Sequence, residues 1–387
     1  MAWFLWALSW ETMVYSPRWL LLVSLTSARC KQTGLTVLTV LLPLLTWGQN
    51  FSGAQDLSLN YAWEQEPDGW NYPVEAFIPA STPPDGGFPV GVMLHGNGGN
   101  GPGMLNLAEA IMPEHIVIAP TGYLNSWNLC GESSDAPDID MLSDLISQLL
   151  AFDNVNDSHI RLVGLSNGAG LVNQAFIELA MPSIDAFVSI VSQMNQAQHH
   201  QGAFHRPSGM TNPVLDFCGY DQAISPALGK KYLSICNSND PVIPYSGGGA
   251  VNNVFLPAEM AIHRVALQQG HLGPPVPFED VEGSNLVAFS YLGGDVVLVR
   301  GESGHGVNPA QIQFAAEFLS VNNEPSPEEE SCLEDLDADL VVSIADVLLL
   351  LGDFGCSSSC QFDVNGDDSI TISDVLQMIA VFGLSCE

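Results

Sequence analysis

The stretch IRLVGLSNGAGL, residues 160–171, is the most informative part of the sequence. Ile160–Val163 is an apolar run of strand length, Gly164-Leu165-Ser166-Asn167-Gly168 follows it directly, and Leu171–Ala180 has the composition of an apolar helix. A Gly-x-Ser-x-Gly motif between a strand and a helix places the serine on a sharp turn, where the glycines tolerate a strained backbone. The stretch therefore predicts an exposed, nucleophilic Ser166. The alternative is a glycine-rich strand–helix turn without catalysis.

Outward from this stretch, from about residue 50 to residue 320, short apolar strands alternate with amphipathic helices. Such alternation is typical of an α/β sandwich, in which helices cover a mostly parallel sheet. The predicted strands are Val90–Leu94, Ile116–Ala119, Ile160–Val163, Ala186–Val191, Tyr232–Cys236, Leu286–Tyr291 and Val296–Val299, and the predicted helices include residues 142–150 and Asn308–Leu319. Residues 192–230 have no clear period and predict loops or insertions over the sheet.

A serine nucleophile needs a base that takes its proton and an acid that holds this base in one tautomer. His305 comes just after the late strand Val296–Val299, and Asp240 comes after the strand Tyr232–Cys236. Among the nine histidines, His305 alone lies both after Ser166 and just past a late apolar strand. We therefore expect Ser166, Asp240 and His305 to form a catalytic triad.

An oxyanion hole requires two backbone N–H groups aimed at the same point. Asn167 should supply one of them, because it follows the nucleophile directly. Asn97 should supply the other from the glycine-rich turn His95–Gly99, where close approach of the backbone is permitted. His95 itself precedes Ser166 and belongs to this turn, so we expect it to form structural hydrogen bonds and not to act as the base.

Two other groups of residues compete for a functional role. Asp216 and Asp221 are weaker candidates for the acid because no strand leads into them. His199, His200 and His205 could suggest a metal site, but their spacing fits no familiar set of ligands. We interpret the three histidines as part of a solvated loop.

The middle of the chain resembles the polyhydroxybutyrate depolymerase, feruloyl esterase and acetylxylan esterase group of α/β-hydrolases. The matching stretches stand in the order of the family and are Leu94–Gly99, Asn125–Asn128, Gly164–Gly168, Asp240–Tyr245 and Gly304–Gly306. The resemblance implies that Ser166 is the nucleophile, Asp240 the orienting acid and His305 the general base. It also implies that Trp127 borders the substrate pocket, with a core tryptophan as the alternative. Residues 192–230 and the residues after His305 depart from the family pattern, so the substrate stays open.

The last 56 residues contain an internal repeat with an offset of 28 residues. Oxygen-bearing side chains stand at positions 1, 3, 5 and 12 of both repeats, as calcium loops require, and an apolar helix follows each loop. These predicted calcium ligands are Asp335, Asp337, Asp339 and Asp346 in the first repeat and Asp363, Asn365, Asp367 and Asp374 in the second. A small all-α module that contains two calcium loops is therefore expected.

Aspartate at the twelfth position of both loops resembles dockerin modules. The resemblance implies a cohesin-like or cell-surface partner, although Ile344-Ala345 and Ile372-Ser373 replace the small hydroxyl residues that dockerins usually present. Surface attachment and sorting are equally compatible with the pattern.

The chain is expected to be exported. Lys31 precedes the apolar run Leu35–Leu45, which has the length of a signal-peptide core, and a plausible cleavage zone follows it. Four of the eight cysteines lie in the tail, a density typical of disulfide frameworks. We expect Cys332 to pair with Cys356 and Cys360 with Cys386, one bridge per repeat, although other pairings stay open.

The charge balance excludes two classes of partner. Nine lysines and arginines oppose 43 aspartates and glutamates, which gives a net charge of −34. Such a surface repels phosphate backbones and anionic lipids, so we expect neither nucleic-acid nor membrane binding.

These observations predict four regions: a leader (1–49), an α/β-hydrolase catalytic domain (50–320), an acidic linker that contains prolines (321–331) and a dockerin-like calcium module (332–387). The predicted function is that of a secreted serine ester hydrolase that forms an acyl-enzyme on an extracellular polyester or on feruloyl or acetyl esters of polysaccharide. Catalysis should need no cofactor, and Ca²⁺ should be structural. The alternatives are a serine peptidase with the same triad and a calcium-dependent surface or scaffold protein whose hydrolase domain is inactive.

Overall fold

A computed structural model describes residues 48–208, 216–320, 334–337, 339, 341–357, 360–364 and 369–383. Nearly all of the predicted leader, the whole predicted linker and the predicted calcium ligands Asn365 and Asp367 lie outside these residues. Within the described ranges, every helix is too short or too polar to cross a membrane.

Within the described residues, the largest sheet is a nine-stranded mixed sheet, and three small sheets accompany it. In chain order the strands are β1 Asn60–Trp63, β2 Glu66–Asn71, β3 Val74–Phe77, β4 Phe88–Leu94, β5 Ile116–Pro120, β6 Val155–Leu165, β7 Ile184–Ile190, β8 His199–His200, β9 Ala203–Arg206, β10 Gln222–Ile224, β11 Lys231–Asn237, β12 Gly248–Ala250, β13 Asn253–Phe255, β14 Glu279–Asp280, β15 Val287–Tyr291 and β16 Val296–Gly301.

The strand order of the large sheet is β14-β15-β16-β11-β7-β6-β4-β5-β3. The six strands from β16 to β5 are parallel, and β3 at one edge and β15 with β14 at the other are antiparallel to their neighbours. From β4 the chain continues to β5 on one side, and from β6 it continues to β7 on the other. Such a change of direction opens a crevice at the carboxyl ends of β4 and β6, where α/β proteins bind ligands. The mixed sheet with its helices matches the predicted α/β-hydrolase fold.

Helices cover both faces of the sheet. They are α1 Gly101–Ile111, α2 Asp138–Leu149, α3 Asn167–Glu178, α4 Ala258–Gln268 and α5 Pro309–Phe318. One buried apolar cluster joins α2, α3 and α4 to one face, and a second joins α1 and α5 to the other. Neighbouring residues of a strand divide between these clusters: Leu162 belongs to the first and Val163 to the second. This division follows from the period of two along a strand.

Two helices and one region differ from the sequence prediction. We predicted neither α1 nor α4, and α1 begins with Gly101-Pro102-Gly103, which reads as a loop. The side chain of Asn100 caps α1 by accepting the backbone N–H of Gly103 at 2.9 Å. For residues 192–230 we predicted loops or insertions, and the structure has a small antiparallel sheet of β8, β9 and β10 there.

The described part of the tail has two helices, α6 Ile344–Gly352 and α7 Ile372–Ala380. Each starts with a capping box, formed by Ser343 with Asp346 and by Thr371 with Asp374. The tail also has its own apolar cluster, whose buried members are Val342, Leu350, Val364, Ile370 and Met378. The 28-residue repeat is visible in this cluster, because Val342 corresponds to Ile370 and Leu350 to Met378.

The predicted disulfide pairing of the tail is wrong. Cys356 is bonded to Cys360, so neither can form the bridge that we expected with Cys332 or Cys386. Both of the latter lie outside the described residues. The end of α6 and the turn after it bring Cys356 next to Cys360, a proximity that the repeat offset alone does not reveal.

Candidate active site

The turn that carries Ser166 depends on two glycines. Ser166 stands between β6 and α3 with φ 55° and ψ −115°, a backbone conformation that costs about 1–3 kcal/mol in a residue other than glycine. A Cβ atom on Gly164 would lie 2.2 Å from the carbonyl oxygen of Gly168, and one on Gly168 would lie 2.3 Å from that of Leu94. Both positions therefore exclude any side chain, and Ser166 lies at the carboxyl end of β6, as predicted.

The structure brings Ser166, His305 and Asp240 together. The Nε2 atom of His305 lies 2.8 Å from Ser166 Oγ, and its Nδ1 atom lies 2.8 Å from Asp240 Oδ2. Ser166 follows β6, Asp240 follows β11 and His305 follows β16, so three parallel strands place the three side chains at one edge of the sheet. In this geometry His305 can accept the hydroxyl proton of Ser166 while Asp240 accepts the Nδ1 proton of His305.

Asp240 is held on its other oxygen. Its Oδ1 accepts the backbone N–H groups of Val242 at 2.8 Å and Ile243 at 3.0 Å, and its side chain is only 2% exposed. The weaker candidate Asp221 instead accepts the backbone N–H and the hydroxyl of Ser208, both at 2.9 Å. Of these two aspartates, Asp240 is therefore the partner of the histidine.

Asn97 and Asn167 lie beside Ser166 in one cavity. Asn167 is the first residue of α3, so its backbone N–H has no acceptor within the helix. Among the described hydrogen bonds, the backbone N–H of Asn97 has no protein acceptor. The turn of Asn97 is fixed on both sides, because Gly98 donates to the carbonyl of Asn125 at 2.7 Å and Gly99 to that of Gly96 at 2.9 Å.

His95 has the structural role that we expected. Its Nδ1 lies 2.7 Å from the carbonyl oxygen of Gly96, and its Nε2 accepts the backbone N–H of Gly122 at 2.9 Å. Burial lowers the pKa of His95, which favours the neutral ring that this pair of contacts requires.

The prediction that Trp127 borders the substrate pocket is wrong. Its side chain is fully buried, and its Nε1 donates to the carbonyl of His95 at 2.8 Å. The backbone N–H of Trp127 donates to Asn167 Oδ1 at 2.8 Å, and its carbonyl accepts the amide of the same side chain at 3.2 Å. Trp127 thus lies in the core and connects the turn of His95 with the turn of Ser166 and Asn167.

The cavity at Ser166 has a volume of about 460 Å³. Apolar side chains (Leu129, Val242, Ile243, Val251 and Phe255) and uncharged polar ones (among them Ser192, Gln193, Asn195, Gln198, Asn252 and Asn253) line it. Of the described residues in this lining, Glu132 alone is charged. A pocket without a lysine or an arginine favours an uncharged ligand over an anionic one.

One long-range bond and one local hydrogen bond hold the wall of this cavity. A disulfide joins Cys130, whose neighbours Leu129 and Gly131 line the cavity, to Cys218 in the segment that precedes β10. Glu132 folds back on the same loop and accepts the backbone N–H of Cys130 at 2.6 Å. The disulfide connects the pocket wall to residues 192–230, the region that departs from the family pattern.

Removal of the Cys130–Cys218 bridge should weaken substrate binding more than chemistry. The paired change Cys130→Ser with Cys218→Ser removes the bond that holds the loop of Leu129 and Gly131 but leaves Ser166, Asp240 and His305 unchanged. We therefore expect KM to rise several-fold while kcat stays nearly constant. The bridge closes a loop with a sequence separation of 88 residues, which corresponds to about 4–5 kcal/mol of unfolding free energy in the chain-entropy model. Steady-state kinetics and urea unfolding measure the two effects. The matched control, Cys356→Ser with Cys360→Ser, should leave KM unchanged. An unchanged KM in the variant without the Cys130–Cys218 bridge would show that this bridge does not hold the pocket wall.

The three histidines of the metal alternative do not form a ligand set. The rings of His200 and His205 stack with centroids 3.6 Å apart, and their Nδ1 atoms lie within hydrogen-bond distance of backbone carbonyls. In the part of the chain that the structure describes, three potential ligands group instead at Asp335, Asp337 and Asp346, whose ligand atoms all lie within 4.8 Å of one another.

Sequence reasoning missed the residues that hold the site from behind. Asn125 supports the turn of Asn97, Glu132 supports the pocket wall, and Asn237 and Asn239 bind the loop of His305. The cluster Asn237-Ser238-Asn239-Asp240 at the end of a predicted strand was a usable signal, since polar residues at that edge of a parallel sheet tend to be functional.

No protein-family model matches the chain, and no curated protein matches it in sequence. Solved structures with a similar fold include a carboxylesterase from Bacillus cereus, 16% identical, which covers 64% of this chain and 93% of that one with a TM-score of 0.40. An acetyl xylan esterase from Aspergillus awamori is 13% identical over 63% of this chain and 93% of its own, with a TM-score of 0.41. A phospholipase/carboxylesterase from Dyadobacter fermentans is 14% identical over 64% and 96%, with a TM-score of 0.40.

Proposed function

We propose that this protein is a carboxylic-ester hydrolase that acts through an acyl-enzyme on Ser166. The observation that carries the proposal is the continuous hydrogen-bonded path from Ser166 Oγ through His305 to Asp240, with 2.8 Å at each step. Such a path activates a hydroxyl that is otherwise a weak nucleophile.

The reaction would proceed in two halves. Ser166 Oγ attacks the ester carbonyl while His305 Nε2 takes the hydroxyl proton, and the N–H groups of Asn97 and Asn167 receive the negative charge on the carbonyl oxygen. The alkoxide then leaves with the proton from His305, and the acyl group stays on Ser166. In the second half a water molecule gives its proton to His305 and attacks the acyl-enzyme, and His305 then passes that proton to Ser166 Oγ as the bond between Oγ and the acyl carbon breaks and the acid leaves.

The pocket supports an uncharged ester with a bulky acyl or alcohol part. A volume of about 460 Å³ far exceeds the size of an acetyl group and is typical of sites for drug-sized ligands. The mixed apolar and amide lining suits an aromatic or aliphatic acyl chain next to a hydroxyl-rich or ester-rich chain. We therefore propose a polyester or a feruloyl ester of polysaccharide as the substrate class, ahead of a simple acetyl ester.

Two assays test the proposed activity. A fluorophosphonate probe should label the wild-type protein and should not label Ser166→Ala, because the probe reports an activated serine. Hydrolysis of p-nitrophenyl esters compared with peptide anilides separates an esterase from a peptidase with the same triad. A wild-type protein that the probe does not label would favour the alternative of an inactive hydrolase domain on a surface-attached protein.

We further propose that the tail binds Ca²⁺ as a structural ion. Asp335, Asp337 and Asp346 offer carboxylate oxygens in one group, which fits the hard oxygen ligands that Ca²⁺ takes. Partial desolvation and the neighbouring carboxylates raise the pKa of Asp337, and a cation would remove that repulsion. Asp339 lies next to this group, since its backbone N–H donates to Asp335 Oδ1 at 3.1 Å and its own Oδ1 accepts the backbone N–H of Val341 at 2.9 Å, and we propose it as a further ligand.

Export and attachment through the tail complete the proposal. The Cys130–Cys218 and Cys356–Cys360 bridges suit an oxidising compartment, which supports a secreted or cell-surface location. Exposed apolar side chains recur at equivalent positions of α6 and α7, such as Leu348 and Leu376, which supports a cohesin-like or cell-surface partner.

Calcium should stabilise the tail without affecting catalysis. At a thousandfold excess over Kd, an ion that binds only the folded state adds about 4 kcal/mol per site. We therefore expect EDTA to lower the unfolding temperature of the tail in the full-length protein while the rate of ester hydrolysis stays constant. Calorimetry and an esterase assay with and without Ca²⁺ measure this. Asp337→Asn should remove the part of the calcium response that comes from the first loop but keep the rate, whereas loss of activity in EDTA would contradict a purely structural ion.

A further inference from the structure

Asn237, the last residue of β11, uses its whole side-chain amide. Its Oδ1 accepts the backbone N–H of Ser303 at 3.0 Å and the side-chain amide of Gln311 at 2.9 Å. Its Nδ2 donates to the carbonyls of Gly304 and Gly306, both at 2.8 Å. An asparagine amide offers two donors and two acceptor sites, so all four are occupied. The residue is 1% exposed, and each lost bond would therefore leave a buried polar group.

The neighbours of Asn237 pack closely around its amide. A Cβ atom on Gly301 would lie 2.5 Å from the amide nitrogen of Gln311 and 2.9 Å from Asn237 Oδ1. Gln311 is itself fully buried, and its Oε1 accepts the backbone N–H of Asn308 in the capping box of α5. The network thus connects the end of β11, the loop 303–306 and the start of α5.

His305 lies between the two carbonyls that Asn237 binds. Its ring has hydrogen bonds to Ser166 and Asp240 alone among the described contacts, and its side chain is 22% exposed. The backbone of Gly304 and Gly306 sets where this side chain starts, so the two carbonyls held by Asn237 help to place the ring between Ser166 and Asp240. Asn239 adds a second contact to this loop, since its Oδ1 accepts the backbone N–H of Gly304 at 2.9 Å.

We propose that Asn237 is a positioning residue, which holds His305 within reach of both Ser166 Oγ and Asp240 Oδ2 through the carbonyls of Gly304 and Gly306. The inference rests on the proposed function, because it assigns Asn237 to the general base of that reaction. Asn237 lies outside the lining of the substrate cavity. Its loss should therefore slow the chemical step and leave substrate binding unchanged.

Two substitutions at Asn237 separate its donors from its acceptor. Asn237→Ala removes all four bonds, whereas Asn237→Asp keeps an acceptor for Ser303 and Gln311 but loses both donors to the loop of His305. We expect kcat to fall by about 100-fold in both variants with KM nearly unchanged, the size of effect that a misplacement of about 1 Å produces. Asn239→Ala changes an exposed residue of the same network, and we expect a smaller fall in kcat with wild-type stability.

A buried asparagine far from the loop provides the matched control. Asn154 accepts the backbone N–H of Phe51 at 2.7 Å and donates to the carbonyl of Phe51 at 3.1 Å, and it is 7% exposed. Asn154→Ala should therefore lower stability but keep kcat per competent site. End-point labelling with a fluorophosphonate probe counts the competent Ser166 sites, so that kcat refers to folded protein in every variant.

Three results would overturn the inference. They are a wild-type kcat per labelled site in Asn237→Asp, a fall in kcat that Asn154→Ala reproduces, and a rise in KM that accounts for the whole loss in Asn237→Ala. In each of these cases the wild-type protein still hydrolyses esters, and the proposed function stands. If the wild-type protein neither reacts with the probe nor cleaves an ester, the proposed function fails first.

Discussion

Ser166→Ala is expected to lower kcat for ester hydrolysis by about 10⁶ while the protein stays folded. In the proposed reaction the serine Oγ forms the acyl bond, and no described hydroxyl other than that of Ser166 lies within hydrogen-bond distance of His305 Nε2. Its loss therefore removes the covalent route completely. Steady-state kinetics with a p-nitrophenyl ester, together with thermal unfolding, measures the two quantities.

A second serine in the same cavity serves as the control for this prediction. Ser192 lines the cavity but makes no described contact with His305, so Ser192→Ala should keep kcat close to the wild-type value. Activity of Ser166→Ala within about tenfold of wild type would contradict the assignment of the nucleophile.

Asp240→Asn is expected to lower kcat by about 10⁴ with little change in KM. The reason lies in the hydrogen bonds of Asp240, whose Oδ1 is held by the backbone N–H groups of Val242 and Ile243. The oxygen of the introduced amide would stay on these two donors, and its NH₂ group would then face His305 Nδ1. The imidazole would have to accept at Nδ1 and carry its proton on Nε2, where it could no longer receive a proton from Ser166.

The comparison with Asp240→Ala tests this explanation. Alanine removes the acid but imposes no tautomer, so it should retain at least as much activity as asparagine if the wrong tautomer causes the loss. A pH–rate profile and kcat for both variants decide the question. Asp240→Asn with wild-type kcat would show that another group orients His305.

The sequence predicted those features whose cause is local. Gly164 and Gly168 are needed because a Cβ atom at either position would clash with a backbone carbonyl oxygen 2.2–2.3 Å away. The two glycines of the motif show this requirement directly. The parallel strands that precede Ser166, Asp240 and His305 are short apolar runs, and their carboxyl ends must share one edge of the sheet. The proximity of Ser166, Asp240 and His305 could therefore be predicted from the sequence.

Features that depend on distant pairs could not be predicted in the same way. Whether Trp127 faces a pocket or the core depends on His95 and Asn167, which lie 32 and 40 residues away from it. The partner of Cys130 is likewise 88 residues distant. Periodicity and motif spacing contain no information on such pairs, because many pairings satisfy them equally well.

The charge of the pocket wall has a consequence for the end of the catalytic cycle. An ester enters the cavity uncharged, but the proposed reaction converts its acyl half into an anion beside Glu132, in a chain with a net charge of −34. Like charges repel, and no lysine or arginine is among the described residues of the lining to retain the new carboxylate. The cavity would thus bind the uncharged ester but repel the carboxylate product. The proposed enzyme would therefore resist inhibition by its own product as acid accumulates around a polymer surface.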